Sequence, residues 1–349
     1  MRVTDVGPSK FDTHEVCCSR RRFLTAIAAA GAAAWMPKRA SADADENRKA
    51  RIAITLDLEM SAQYPRRDLT EWNFEKGNLD EATKRYAVEA AKIVKDAGGV
   101  IHFFCVGRVL EQADVDWLKQ LAADGHPIGN HTYDHVFVKA NKPEETQFRF
   151  QRAPWLIEGL TTAEIIERNI RSTTTALKLR AGIEANGFRT PGGFHNGLSD
   201  RPDVQAMLLD QGFKWVSSKY ATHQYGKVGE VPTEAVLADI VRAQAESQPF
   251  AYPSGLIEIP MSPISDVGAF RSTRWSLESF LTAIQRSIEW TIQQQAVFDF
   301  LAHPSCLVIE DPEFQTIRLI CKLAHAANDR AELVSLDRIA TKFAMSLKE

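Results

Sequence analysis

The chain has 349 residues, with 42 Lys and Arg against 45 Asp and Glu, for a net charge of −3. Residues 1–42 hold seven basic and three acidic side chains, so the remainder carries 35 basic against 42 acidic, a balance of −7. That balance excludes the electrostatic footprint of a nucleic-acid or anionic-membrane binder and fits a soluble protein with a neutral or cationic ligand.

The N-terminus reads as an export signal. Ser19-Arg20-Arg21-Arg22-Phe23-Leu24 looks like a twin-arginine motif, an apolar run from Phe23 to Met36 follows, and Ala40-Ser41-Ala42 fits signal cleavage. The run is shorter than the roughly 20 apolar residues a membrane span needs, so no stable anchor is expected after cleavage. The reading is a signal over residues 1–42, handled by the twin-arginine export machinery. A single catalytic domain over 43–349 would then act in the periplasm or outside the cell. Cys17 and Cys18 leave with the signal. Cys105 reads as a buried strand residue, and a Cys306–Cys321 disulfide is left open.

Strand-like runs follow at Arg51–Asp57, Val100–Val106, Pro127–Asn130, Gly187–Arg189, Trp215–Ser218, Leu256–Pro260, Val297–Ala302 and Glu332–Ser335. Helical patterns lie between many of them: Leu79–Ala97, Val115–Ala123, Thr162–Ala185, Asp203–Gln211, Leu277–Gln295 and Pro312–Ala327. Gly98-Gly99, Gly125, Gly187 and Gly212 fall where helices stop. Alternation of this kind predicts a parallel sheet covered by helices. Tyr64–Asn78 and Phe137–Leu160 look inserted, either as rims or lids of a site or as surface ornament.

Asp57 and Glu59 share one face of the first strand. His131 and His135, four apart, are expected on one face of a helical turn, where both imidazoles can converge on one ion. A carboxylate from the neighbouring strand would complete a site of two histidines and one carboxylate. That set suits catalytic Zn2+, with Co2+, Ni2+, Mn2+ or Fe2+ as alternatives. Asp57, His131, Arg189 and His303 all fall at or just after strand C-terminal ends, where such folds gather function.

Thr55-Leu56-Asp57-Leu58-Glu59, His102–Gly107, His131-Thr132-Tyr133-Asp134-His135, Phe188–Gly193, Glu258-Ile259-Pro260 and Leu301-Ala302-His303-Pro304 occur in an order that resembles the polysaccharide deacetylase family, of the NodB-homology, carbohydrate esterase 4 type. The resemblance covers roughly residues 50–345. It implies a distorted, incomplete (β/α) TIM-like barrel of about seven parallel strands and a hydrolase that deacetylates a glycan. It also implies Asp57 as the general base, Arg189 as its partner and His303 as the general acid. The family's second motif aspartate is replaced by Leu58, which cannot ligate. Glu59 is the natural substitute beside His131 and His135, although Asp57 as the ligand stays open. The aspartate that tunes the acid histidine is missing from its usual place near Trp215–Tyr220, and Asp299 and Asp266 are the candidates to replace it. Pro191 and Gly192 would let the backbone approach substrate, and Trp215 and Leu301 would wall an acetyl methyl group, unless they simply pack the core. Hydrolysis of a cyclic or small amide, and a decayed carbohydrate-binding protein, are the alternatives.

Overall fold

The computed structural model describes residues 49–69 and 76–348. The twin-arginine motif, the apolar run and the cleavage site lie outside the described residues.

Strand β1 (Ala50–Leu58) is buried at every position except Arg51. Such a strand must be covered on both faces, which is the condition for a parallel sheet. It is followed by β2 (Ile101–Cys105), β3 (Ile128–Asn130), β4 (Phe188–Phe194), β5 (Trp215–Lys219), β6 (Phe250–Ala251), β7 (Ile257–Glu258), β8 (Val297–Ala302) and β9 (Ala331–Leu333). The order across the sheet is β6-β7-β5-β4-β3-β2-β1-β8, with β9 added beside the start of β1. β6 and β7 are antiparallel; the other pairings are parallel. The sheet curls into a half-barrel that no strand ladder closes among the described residues. Ser262 bridges the seam: its N–H donates to the Asp299 carbonyl at 2.9 Å, and its hydroxyl oxygen accepts the Asp299 N–H at 3.1 Å. This is the distorted, incomplete barrel expected.

The helices are α1 (Glu81–Asp96), α2 (Asp116–Ala123), α3 (Phe148–Arg152), α4 (Thr162–Ala176), α5 (Pro202–Asp210), α6 (Glu234–Ala245), α7 (Leu277–Gln294), α8 (Pro304–Glu310), α9 (Gln315–Ala326) and α10 (Leu336–Ser346). Side-chain caps set several starts: Asp80 accepts from Thr83 ahead of α1, Thr161 and Glu164 form a capping box on α4, and Ser276 caps α7. A π-helical turn, Leu177–Ala181, extends α4 and ends at Gly182, whose φ of 69° is left-handed. The helix therefore stops short of the expected Ala185. α3, α6, α8 and α10 are additional to the sequence reading.

Helix faces and the outer side of β1 and β2 share one large apolar cluster. The 137–160 stretch is partly body rather than ornament, since Phe150 and Ile157 are buried with Val136, Val138 and Ile166 in a second cluster. Cys105, Cys306 and Cys321 are all buried free thiols, so there is no Cys306–Cys321 disulfide.

Candidate active site

Strand direction assembles the site. Asp57 and Glu59 lie at the end of β1, His131 just after β3, Arg189 within β4, and His303 just after β8. The histidine pair is not on a helical turn. Thr132 and His135 adopt left-handed φ values of 57° and 59°, which break any helical repeat. Asn130 organises the turn instead: its Oδ1 accepts the Thr132 N–H at 2.8 Å, and the Thr132 hydroxyl oxygen accepts the Val136 N–H at 2.9 Å. The two imidazoles still meet, with centroids 5.0 Å apart.

Ligand atoms of Glu59, His131 and His135 lie within 4.8 Å of one another. Glu59 Oε2 is 2.8 Å from His135 Nε2 and 3.6 Å from His131 Nε2. This oxygen is buried and accepts no hydrogen bond, an arrangement that a cation would satisfy. His131 Nδ1 is 2.9 Å from the Arg189 carbonyl, so that nitrogen is the donor and Nε2 keeps its lone pair for the site. Burial pushes His135 down to about 4, with Lys76 and His131 reinforcing it against Glu59, so its ring is neutral at pH 7. Burial alone would raise the Glu59 carboxyl. Attraction to the His135 ring and to the Lys76 ammonium, with contacts from both histidines, outweighs it and holds the group well below the usual range. Two imidazoles and one carboxylate fit a borderline divalent metal.

Arg189, fully buried, ties Asp57 to the sheet. Nη1 donates to Asp57 Oδ1 at 3.0 Å and to Thr55 Oγ1 at 2.7 Å, while Nη2 donates to Asp299 Oδ2 at 2.5 Å and to Ser217 Oγ at 3.1 Å. The guanidinium also lies 4.3 Å from the Phe104 ring centroid. Burial pushes the Asp299 carboxyl up, opposed by Arg189. Asp57 Oδ2 remains on the site side, 3.7 Å from His131 Nε2.

Asp266, not Asp299, partners His303. Its Oδ1 lies 2.9 Å from Nδ1, and its Oδ2 accepts the His303 backbone N–H at 2.7 Å. Burial opposes charge on this imidazole, but Asp266, and then Glu59 and Asp57, raise it to about 9. His303 Nε2 points back to the site, 3.5 Å from Glu59 Oε1.

Pro191 is buried, and Gly192 follows with φ of 79° and open space where a Cβ would stand. Leu301 lies on the Asp299 face of β8, two residues before His303. Trp215 does not join them. It begins β5, so it sits at the opposite end of the barrel, against Gly187, Phe104 and His102. Cavities of about 740 and 620 Å³ open at that same far end, the second lined by Trp215. Neither contains Asp57, Glu59, His131, His135 or His303, so size does not mark the chemistry here. Sequence reasoning missed Lys76, whose ammonium meets Glu59 Oε1 in a buried ion pair. Asp134, between the two histidines, is taken up by Arg149 at 2.7 Å and Arg108 at 3.4 Å.

Residues 69–207 match the family model described as polysaccharide deacetylase. That span holds His131, His135 and Arg189; Asp57 and Glu59 precede it and His303 follows it. No curated protein matches the sequence. Solved structures share the fold. A Pseudomonas aeruginosa PAO1 protein described as a polysaccharide deacetylase superposes with TM-score 0.58 at 12% identity, covering 85% of this chain and 91% of that one. A Mycobacterium smegmatis protein described in the same way gives TM-score 0.56 at 14% identity, covering 84% and 90%. An allantoinase gives TM-score 0.56 at 10% identity, covering 85% and 91%.

Proposed function

We propose that the chain is a hydrolase of the polysaccharide deacetylase type, acting on amide carbon–nitrogen bonds, and that it removes N-acetyl or O-acetyl groups from an acetylated polysaccharide or oligosaccharide; the match of residues 69–207 to that family's model and the shared fold support this. The observation that carries this reading is the convergence of Glu59, His131 and His135 with Asp57 and His303 at one mouth.

Glu59, His131 and His135 would hold one divalent ion, most simply Zn2+. Such an ion supplies Lewis acidity toward a carbonyl oxygen and toward water. Asp57, with Oδ1 fixed by Arg189, uses Oδ2 to take a proton as water adds to the acetyl carbonyl. His303, held by Asp266 and cationic at neutral pH, gives its Nε2 proton to the departing nitrogen as the C–N bond breaks. Acetate and a free sugar amine leave, Asp57 releases its proton to solvent, and His303 takes one up from solvent, which restores both groups.

A second reading keeps the site and makes the substrate a cyclic amide. Its motive is Leu58, which is fully buried in the helix-side apolar cluster and cannot ligate. Acetate release from acetylated chitooligosaccharides and peptidoglycan fragments, set beside ring opening of small cyclic amides, separates the two. Absence of both activities in metal-loaded protein would leave a carbohydrate-binding role. Export through the twin-arginine route belongs to the same proposal. Changing Arg20 and Arg21 together to Lys should retain the precursor inside the cell, and continued processing near Ala42 would refute that route.

A further inference from the structure

Glu59 divides its two oxygens between two kinds of partner. Oε2 faces His131 and His135 without accepting a hydrogen bond, while Oε1 meets the Lys76 ammonium. Both members of this ion pair are buried, Lys76 at 3% exposure and Glu59 at 2%. The placement of the lysine is enforced locally. Its carbonyl accepts the Met60 N–H at 3.0 Å, lacing the segment to the end of β1. Gly77 comes next, where a Cβ would stand 2.2 Å from the Arg108 Cβ, so the chain passes Arg108 only as glycine.

We propose that Lys76 is a positioning residue of the metal centre, one that reserves Glu59 Oε1, presents Oε2 alone to the ion and weakens the site's hold on divalent cations. This rests on the reading of Glu59, His131 and His135 as the metal ligands. Ligating carboxylates in metalloenzymes are normally fixed by a second hydrogen bond, and loss of such a partner weakens binding by about 10–100-fold. Here the partner is itself a cation. Repulsion between an ammonium and a divalent ion sharing one carboxylate is large even at an effective dielectric constant of about 20. The repulsive effect is therefore the greater, and removing the charge tightens binding. With Oε1 released, Glu59 is also free to ligate through both oxygens. The lysine thus keeps the centre more positive and less saturated than its three ligands alone would make it.

The test uses the full chain, stripped of metal and titrated with Zn2+ against a chromophoric competing chelator. Wild type, Lys76→Met, Lys76→Gln and Lys76→Arg are compared, and each is also loaded with Co2+ for its visible spectrum. The neutral variants are expected to bind Zn2+ about tenfold more tightly or better. Their Co2+ bands should weaken as coordination number rises. Lys76→Arg, which keeps the charge, should stay near wild type in both readouts. Equal or weaker Zn2+ binding by the neutral variants, or an unchanged Co2+ spectrum, overturns the proposal. If Lys76→Met does not fold, Lys76→Gln against Lys76→Arg makes the same distinction. Should wild type itself fail to bind Zn2+, the metal reading falls, an outcome distinct from normal binding that ignores Lys76.

Discussion

Asp266 grips His303 with both carboxylate oxygens, one on the imidazole Nδ1 at 2.9 Å and one on the backbone N–H at 2.7 Å. The imidazole is thereby fixed in orientation and in charge, with Nε2 the one ring nitrogen left to face the site.

If His303 is the proton donor, activity falls as pH rises through about 9, where the imidazole loses its charge. Asp266→Asn should move that limb toward the ordinary histidine value of 6.5 and lower the rate at pH 8. His303→Ala should lose about 10²–10⁴-fold at neutral pH. A pH–rate profile of the variants checks this, and an unmoved alkaline limb in Asp266→Asn would remove His303 from the role.

The same shift has a stability consequence with a definite sign. The folded value of about 9 lies above the unfolded value of 6.5, so the contribution is complete below 6.5 and disappears as pH rises through 9. Its full size is on the order of 3 kcal/mol. Denaturant melts of metal-free protein from pH 6 to 10, with His303→Asn as reference, should show the two proteins converging at the alkaline end.

Arg189→Met leaves Asp57 and Asp299 buried without their shared cation. Breaking a buried pair in this way costs about 3–5 kcal/mol, far more than a surface ion pair at about 0–1 kcal/mol. Arg189→Lys should recover little, because one ammonium cannot span Asp57, Asp299, Thr55 and Ser217 together. Urea midpoints measure the difference.

Chelation should abolish activity and Zn2+ should restore it. Glu59→Ala and His131→Ala should each lose bound metal by elemental analysis, whereas Asp57→Asn should keep it and lose turnover. Metal loss in Asp57→Asn with retention in Glu59→Ala would exchange the two carboxylates' roles.

Trp215→Ala should lower stability by about 3–5 kcal/mol, as other buried aromatic truncations do, yet leave KM for an acetylated substrate unchanged in the surviving folded protein. A raised KM at full folding would return Trp215 to the substrate pocket.

The legible part of the site followed from strand geometry. Period-two alternation put Asp57 and Glu59 on one face, and parallel strand direction put His131 and His303 at one mouth; Arg189 is only the second residue of β4 and reaches Asp57 through its long side chain. The same rule could have removed Trp215, which starts its strand rather than ending it. Four-residue spacing of histidines fits a helix and a tight turn equally well, and the left-handed φ values of Thr132 and His135 decide for the turn. Asp266 and Asp299 were indistinguishable as letters; the curl of the sheet assigns one to His303 and the other to Arg189. Lys76 carried no signal, since its pairing with Glu59 depends on the path of an inserted loop. α6 did carry one, in Thr233 as cap and buried Val236, Leu237, Ile240 and Ala243.

The unlaced seam beside β8 has a mechanical consequence. Asp266 belongs to the lip that follows β7 and His303 to the lip that follows β8, so their bond is also a clasp across the gap, as Ser262–Asp299 is a little deeper. His303, the proposed proton donor, is thus mounted on a seam that no strand ladder closes among the described residues. Mild denaturant that parts these lips would silence turnover while the continuous ladder from β5 to β1 still holds, so loss of activity should precede loss of circular dichroism.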